Sequence, residues 1–470
     1  MPHRHPSLLA APPAAPGRRW LTNARLFDGT GAAIRQAAAV LIEDGTIERV
    51  GAASEPAPEG ARVIDLGGRT LIPGLINVHV HVQARPPVPA PGAEPILAGT
   101  SAHFLQAGLR DILRMGTTTL RNVGGQAHQP QEARQAMRYG AFRGPRLLTC
   151  GLIISATAPG GRFYGAMYRE ADGPQEIRKA VREQLRAGAD FVKVMSTGAR
   201  SNELEDPEPT QLTDAEFAAL VDEAHRMGVK VAAHAEGLAG TAAAIEHGMD
   251  TIEHGMYLNQ RPELLEAMAA GGQVLVPTLS GYYWMAGLGT AIDPDGAELE
   301  PEMLPSIVAL AHHNLEQGAR SLRAARAAGV KIALGSDRDG LTGEDTALEL
   351  LRMVHHGLSV SEALVAATQT AAQALGLEDR IGTVQPGRLA DLVVLDGDVL
   401  TEPEMLLAPD RIWLVLQLGE PVAGAALESP AELWRFATTP RSGNAKVAAD
   451  GPSVPGSPSE GAALEGHQVS

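Results

Sequence analysis

The stretch that decides the fold is residues 71–81, which reads LIPGLINVHVH. It is an apolar run with a Pro-Gly turn, and it ends in two histidines one residue apart, His79 and His81. On a β-strand, residues i and i+2 point to the same side, so we expect both imidazoles to project together from the strand's C-terminal end. Two converging imidazoles can hold one metal ion. The stretch therefore predicts a buried strand that ends in a metal site.

Length and composition limit the classes of protein to which the chain could belong. Its 470 residues, 44% of them hydrophobic, can bury a large core, which favours one large domain with a smaller companion over three equal domains. The formal net charge of -16 argues against nucleic acid or an anionic membrane as a partner. No apolar stretch reaches the roughly 20 residues of a membrane-spanning helix. The single cysteine, Cys150, excludes an intrachain disulfide and a cysteine-rich zinc site.

Both ends of the chain carry β-like patterns inside polar tails. Strand-like runs at residues 21–27 and 38–50 are broken by Asp-Gly turns, which are typical of hairpins. Residues 382–396, GTVQPGRLADLVVLD, form another apolar run far away in sequence. Residues 1–18 are rich in Pro, Ala and Arg without the apolar core of a secretory signal, and residues 438–470 are rich in Gly, Pro, Ser and Glu. We expect two disordered tails and a cytoplasmic protein.

Between these ends, strand-like runs alternate with helical ones, as parallel βα repeats require. Four of the later strand-like runs carry a side chain that can bind a metal or move a proton: Lys193, His234, His254 and Asp337. Because the C-terminal ends of parallel strands meet at one mouth, we expect these side chains to lie together. Asp339, two residues further on, is an alternative candidate for the role of Asp337. Lys193 sits among Phe, Val and Met, where burial would lower its pKa and disfavour the ammonium.

These motifs resemble the amidohydrolase superfamily, and in particular its imidazolonepropionase-like and prolidase-like branch, which includes Xaa-Pro dipeptidases and N-acyl amino acid amidohydrolases. The resemblance covers roughly residues 20–437 and includes the closing motif that begins at Gly382. It implies an α/β chain with a (β/α)8 TIM-like barrel over residues 73–382. It also implies a small β-sandwich domain that both chain ends form, from residues 19–72 and 383–437.

The resemblance also implies a site with two divalent metal ions, for which imidazole and carboxylate-like ligands favour zinc. One metal would take His79, His81 and Asp337, the other His234 and His254. A carboxylated Lys193, formed with carbon dioxide, would bridge them, since the neutral amine is the form that reacts. A bridging hydroxide would be the nucleophile, and Asp337 would be the catalytic residue that passes a proton to the leaving amine.

The implied reaction is hydrolysis of an amide C–N bond in an N-acyl amino acid or a dipeptide, as a carboxypeptidase would cut it. We expect a small-molecule substrate and a homo-oligomer. Three alternatives stay open: hydrolysis of a cyclic amide of the imidazolone type, a mononuclear aminohydrolase (deaminase) that uses His234 and Glu236, and a metal-free binding protein on the same fold.

Substrate choice in such a barrel lies in the loops that follow the strands. Residues 157–168, 199–210 and 280–302 are the candidate loops, the last of them a candidate lid. The candidate substrate-binding residues are Arg162, Tyr164 and Trp284, able to meet a carboxylate or an aromatic ring. Relatives usually carry Asp where this chain has Asn77 and Asn122, and those near this branch often carry a histidine in the stretch that corresponds to residues 157–162. All three differences affect the surroundings of the site and leave the metal ligands intact.

Overall fold

The computed structural model describes residues 17–83, 99–201, 205–295, 305–338 and 342–427. All of the described residues belong to one compact unit. The predicted C-terminal tail, residues 438–470, lies outside the described residues. Residues 1–16 of the predicted N-terminal tail lie outside them as well. Arg18, the last residue of the predicted N-terminal tail, begins the first strand.

Eighteen strands are assigned within the described ranges, numbered here in chain order. They are β1 (Arg18–Leu26), β2 (Arg35–Glu43), β3 (Thr46–Ala52), β4 (Arg62–Asp65), β5 (Thr70–Pro73), β6 (Leu75–Val80), β7 (Thr117–Asn122), β8 (Arg146–Thr149), β9 (Ile153–Ser155), β10 (Tyr168–Glu170), β11 (Val192–Met195), β12 (Val231–Ala235), β13 (Thr251–His254), β14 (Val274–Val276), β15 (Lys331–Ile332), β16 (Leu392–Leu395), β17 (Ile412–Gln417) and β18 (Glu420–Ala423).

Twelve α-helices occupy the same described ranges. They are α1 (Thr100–Arg114), α2 (Gln129–Arg138), α3 (Gly161–Tyr164), α4 (Pro174–Arg186), α5 (Asp214–Arg226), α6 (Leu238–Glu246), α7 (Pro262–Gly271), α8 (Leu279–Met285), α9 (Pro305–Ala327), α10 (Asp345–His355), α11 (Val360–Ala366) and α12 (Gln369–Leu375). None of these helices is long and apolar enough to cross a bilayer.

Both chain ends contribute to one eight-stranded sheet. Its strands lie in the order β18-β17-β16-β5-β1-β2-β3, and β4 pairs with β1. The joint between the two ends is the antiparallel pairing of β5 with β16, in which Ile72 faces Val393. Apolar side chains from early and late strands, including Leu21, Ile42 and Leu414, share one buried cluster. Burial of this shared apolar surface stabilises the association of the two ends.

Residues 71–81 pass from this sheet into a second sheet, whose strands run parallel to one another. β5 ends at Pro73, and β6 begins at Leu75 and pairs with β7 in parallel. Gly74 lies between them in a crowded place, because a Cβ there would come within 2.2 Å of Thr118 Oγ1. Glycine is the residue that permits such a close approach.

The remaining strands form two parallel sheets, β6-β7-β8 and β10-β9-β11-β12-β13-β14-β15. Most of their residues are buried, as expected of parallel strands covered by helices. Backbone hydrogen bonds link both outer strands of the first sheet to the second sheet. The amide of Asp190, just before β11, donates to Thr149 O in β8 at 2.8 Å, and the amide of Val78 in β6 donates to Leu334 O, just after β15, at 2.9 Å.

His79, His234 and His254 lie at or next to the last residue of β6, β12 and β13, whereas Lys193 is the second residue of β11 and not at its C-terminal end. Asp337 follows β15 by five residues.

Two of the predicted loops are partly wrong. Residues 157–168 contain the short helix α3 and, at Tyr168, the first residue of β10. Residues 280–302 are expected to form a loop, but helix α8 spans Leu279–Met285, and residues 296–302 lie outside the described part of the chain. The first turn of α8 is stabilised by the carboxylate of Glu349. It accepts hydrogen bonds from the amides of Leu279, at 3.0 Å, and Ser280, at 2.7 Å. This partner lies about 70 residues away in sequence, so the local pattern of Pro and Gly does not reveal the helix.

Candidate metal centre

All six predicted metal-binding residues line one cavity of about 600 Å³. They are His79, His81, Lys193, His234, His254 and Asp337. The metal-ligating atoms of three of them, His79, His254 and Asp337, lie within 4.8 Å of one another. Asp337 Oδ1 is 3.3 Å from His79 Nε2 and 3.1 Å from His81 Nε2. The imidazoles of His234 and His254 meet edge to face, with ring centroids 4.5 Å apart.

Backbone conformation at the centre is unusual. His254 has φ +70° and Asp337 has φ +52°, in the left-handed region that non-glycine residues seldom adopt. The Asp337 amide donates to His79 O at 2.9 Å, which holds the carboxylate-bearing segment against β6. Such conformations cost energy and persist only where surrounding contacts enforce them, which is common at functional sites.

Hydrogen bonds to one ring nitrogen leave the other nitrogen of each histidine available. In three residues, Nδ1 is the occupied atom: His79 Nδ1 lies 2.6 Å from Glu253 Oε2, His81 Nδ1 lies 3.0 Å from Gly124 O, and His254 Nδ1 lies 2.7 Å from Thr278 Oγ1. His234 is the reverse, with Nε2 at 3.2 Å from Gly198 O. Metal-binding histidines usually have such a partner, because it fixes the ring and the tautomer. Burial also lowers the pKa of His254, which favours the neutral imidazole that binds metal.

Lys193 lies in β11 with only 2% of its surface exposed. Its Nζ has no hydrogen-bond partner among the described residues. Burial lowers the pKa of this amine, so the neutral form is more accessible than it is for a lysine in water. A neutral lysine amine facing four imidazoles and a carboxylate fits the donor set that two bridged divalent metals require.

A buried ion pair behind the centre is missed by the sequence analysis. Glu253 is fully buried, and its second oxygen accepts a hydrogen bond from Arg121 Nη2 at 2.7 Å. Burial alone would raise the pKa of Glu253, but Arg121 and His79 outweigh it and hold that pKa well below its usual value. Arg121 also donates to Thr251 Oγ1 at 3.1 Å. An available signal is that TTTLRN and TIEH each place a charge inside an otherwise uncharged strand.

Glu236 lines the cavity, and each of its two carboxylate oxygens already accepts a hydrogen bond. It accepts hydrogen bonds from the Arg200 amide, at 2.6 Å, and from the Tyr282 hydroxyl, and it lies 3.3 Å from His234 Nε2. Burial raises the pKa of Glu236, yet its contacts with His234 outweigh this and lower that pKa to about 2. A carboxylate held in this way is a poor proton carrier near neutral pH, which weighs against the deaminase alternative.

The predicted substrate-binding residues divide into two groups. Tyr164 and Trp284 line the cavity, whereas Arg162 is exposed on α3 and is not among the residues that line it. Tyr164 Oη lies 2.5 Å from Ser201 Oγ. Arg338, which directly follows Asp337, lines the cavity and is missed by the sequence analysis. Asp339, the rival of Asp337, lies outside the described residues.

Comparison with known proteins identifies the family. The sequence model of the amidohydrolase family matches residues 70–428 of this chain. The chain belongs to the amidohydrolase family. Ochratoxinase of Aspergillus niger is 29% identical over 434 residues, which cover 86% of each chain. The imidazolonepropionase of Paracoccus denitrificans (strain Pd 1222) is 29% identical over 399 residues, which cover 76% of this chain and 87% of the relative.

Solved structures of amidohydrolase-family proteins agree with this assignment. A Xaa-Pro dipeptidase with methionine bound in its active site superposes with a TM-score of 0.74 at 26% identity, covering 87% of this chain and all of that one. The A. niger ochratoxinase structure gives a TM-score of 0.73 at 27% identity, over 87% of this chain and 96% of the other. The predicted superfamily and its imidazolonepropionase-like and prolidase-like branch are confirmed, and the chain is a hydrolase that acts on C–N bonds.

Proposed function

We propose that this amidohydrolase is a metal-dependent enzyme that cleaves the amide bond of an N-acyl amino acid or a dipeptide and releases the C-terminal residue. The observation that carries the proposal is the convergence of all six predicted ligands on one cavity. The Xaa-Pro dipeptidase gives further support, because its structure is described as holding an amino acid in the active site.

Two divalent metals are part of this proposal. His79, His81 and Asp337 would hold one, His234 and His254 the other, and a carboxylated Lys193 would contact both. Zinc is the favoured metal because the ligands are imidazoles and carboxylate-like oxygens. Bound there, the metals would polarise the scissile carbonyl and lower the pKa of a coordinated water.

The protein's own groups then orient the site and move the proton. Asp337 takes a proton from the attacking water on a carboxylate oxygen and gives it to the nitrogen of the leaving amine. Glu253 holds the Nδ1–H of His79, which keeps His79 Nε2 directed at Asp337. The aromatic and thioether side chains that line the cavity, among them Tyr168 and Met195, reduce the water around the substrate.

A chelator and a substrate panel test this function. Removal of metal should abolish hydrolysis of N-acyl amino acids and dipeptides, zinc should restore it, and elemental analysis should approach two metals per chain. Asp337→Asn should lower turnover by roughly 10²- to 10⁴-fold. The metal content of the Asp337→Asn variant should stay near that of the wild-type protein. Hydrolysis that survives complete metal removal, or a variant with near-normal turnover, would contradict the assignment.

A second candidate is hydrolysis of a cyclic amide, which the similarity to an imidazolonepropionase supports. Lactams in the same panel test it, since opening of a lactam without cleavage of linear amides would replace the first proposal. Ammonia release from aminated heterocycles, lost in Glu236→Gln, would instead support the deaminase alternative.

The finer features of the fold and assembly also belong to the proposal. We infer that the parallel strands close into the (β/α)8 barrel, which the hydrogen bonds from β8 and β6 to the segments beside β11 and β15 support. We likewise propose that the eight-stranded sheet of the two chain ends belongs to the β-sandwich domain. A homo-oligomer in the cytoplasm stays a prediction, and sedimentation of the purified full chain measures the first part of it.

A further inference from the structure

Positive charge is scarce around the cavity. Among the described residues that line it, only Lys193 and Arg338 have Lys or Arg side chains. Lys193 is buried at the proposed metal site, and its amine belongs to that centre. The Arg338 side chain keeps 26% of its surface exposed. It is therefore the cationic group that a dissolved substrate can reach.

The position of Arg338 is fixed by both its backbone and its side chain. The His81 amide donates to Arg338 O at 2.8 Å, and the residue forms a parallel bridge with Val80, which anchors it beside β6. The guanidinium carbon lies 5.0 Å from the centroid of the Trp284 ring. The indole face attracts the cation electrostatically, and this contact restrains the guanidinium of Arg338. Nε lies 3.6 Å from Asp345 Oδ1, a contact that does not use the two terminal amino groups.

A different part of the lining is apolar. Strands β9 and β11 contribute Ile153 and Met195, which pack in one buried cluster with Met167, Tyr168 and partly buried Tyr164. The lining thus offers an apolar wall from β9 to β11 and a guanidinium just beyond β15.

We propose that Arg338 binds the free carboxylate of the substrate's C-terminal residue, while the apolar wall receives the acyl group. This inference rests on the proposed amide hydrolysis. In an amino acid leaving group, a single Cα separates the amine from the carboxylate. The chain places Asp337, which would protonate that amine, and Arg338 at consecutive positions. The guanidinium fork matches a carboxylate through two parallel hydrogen bonds.

Matched pairs of substrates test the role of the carboxylate. The zinc-loaded full chain is assayed with N-benzoyl-methionine and with N-benzoyl-methioninamide, which lacks only the charge. Arg338→Gln should lower kcat/KM for the acid by roughly 10- to 100-fold, mainly through KM, and change that for the amide by less than about 3-fold. Arg338→Lys should restore part of the loss, since it keeps the charge but not the fork. Arg320→Gln, an exposed α9 variant, controls for a change in net charge.

Binding separates failure of this inference from failure of the proposed function. N-Benzenesulfonyl-methionine and its carboxamide resist amide hydrolysis, and calorimetry measures their affinity for wild type and Arg338→Gln even if neither benzoyl substrate is cleaved. A preference of wild type for the acid that Arg338→Gln abolishes supports the inference. Equal losses of affinity for acid and amide, or an unchanged preference for the acid, would overturn it. Thermal unfolding of each variant confirms that the comparison is between folded proteins.

Discussion

The carboxylate of Glu253 offers the sharpest test of how the protein orients the residues of its proposed metal centre. It is fully buried between two partners, His79 Nδ1 at 2.6 Å and Arg121 Nη2 at 2.7 Å. Glu253→Gln keeps the shape of the side chain but removes the charge. Arg121, 1% exposed, then remains as a buried cation without its anion, and His79 loses the strong acceptor that fixes its ring.

Two separate magnitudes follow from these contacts. Breaking a buried ion pair by removal of one partner costs about 3–5 kcal/mol of unfolding free energy. Loss of the hydrogen-bond partner behind a metal-binding histidine weakens metal affinity by roughly 10- to 100-fold, or about 1.4–2.7 kcal/mol. Urea unfolding of the metal-free protein measures the first quantity. Competition for zinc with a chromophoric chelator measures the second.

Asp391→Asn is the matched control. Asp391 Oδ2 lies 2.6 Å from Arg146 Nη1, and both side chains are 3% exposed, but neither residue lines the cavity. This variant should lose stability on the same scale and bind zinc with an affinity within about 2-fold of wild type. If Glu253→Gln loses stability but binds zinc like wild type, the carboxylate stabilises the core alone and the positioning role is refuted.

Three further predictions address other parts of the site. Lys193→Ala should reduce metal content from about two ions to at most one per chain in elemental analysis, and two retained ions would contradict a bridging carbamate. Trp284→Ala should raise KM for bulky acyl substrates more than for small ones at unchanged metal content, whereas equal effects would indicate a role in folding. Burial raises the pKa of Glu349 to about 7. Because the folded state therefore holds this proton more tightly, the contribution of Glu349 to the unfolding free energy should be greatest below about pH 4.5 and fall by roughly 3 kcal/mol up to pH 7, so wild type should lose stability relative to Glu349→Gln over this range. Urea titrations of Glu349→Gln should lack that fall, and an identical pH profile would show that Glu349 does not titrate in this range.

The residues proposed as metal ligands could be selected from the sequence because part of their signal is local. His79 and His81 alternate on a strand, and a lysine within an apolar strand is costly unless chemistry uses it. Parallel strands then bring such residues to one edge without any knowledge of side-chain packing. The preference for Asp337 and the proposed carboxylation of Lys193 rest on the family resemblance instead. The structure places all six residues around one cavity.

Contacts between distant residues could not be predicted in the same way. The acceptor for the first turn of α8 is Glu349, about 70 residues further on, and Arg121 meets Glu253 across about 130 residues. The residues that neighbour a buried charge in sequence do not show which distant residue will pair with it. Arg162 shows the converse limit, because its charge suits a substrate carboxylate but the residue is exposed and does not line the cavity.

Two buried asparagines, at positions where the family resemblance implies aspartate, connect these observations. Asn77 Oδ1 lies 3.2 Å from the amides of both His79 and Ser336, so it links β6 to the segment that carries Asp337. Asn122 Oδ1 likewise accepts from the Val82 amide at 2.7 Å. Both side chains make these acceptor contacts without a negative charge. An uncharged side chain at each position is more favourable than a carboxylate for an anionic substrate nearby, and such a substrate is the one that Arg338 is proposed to bind.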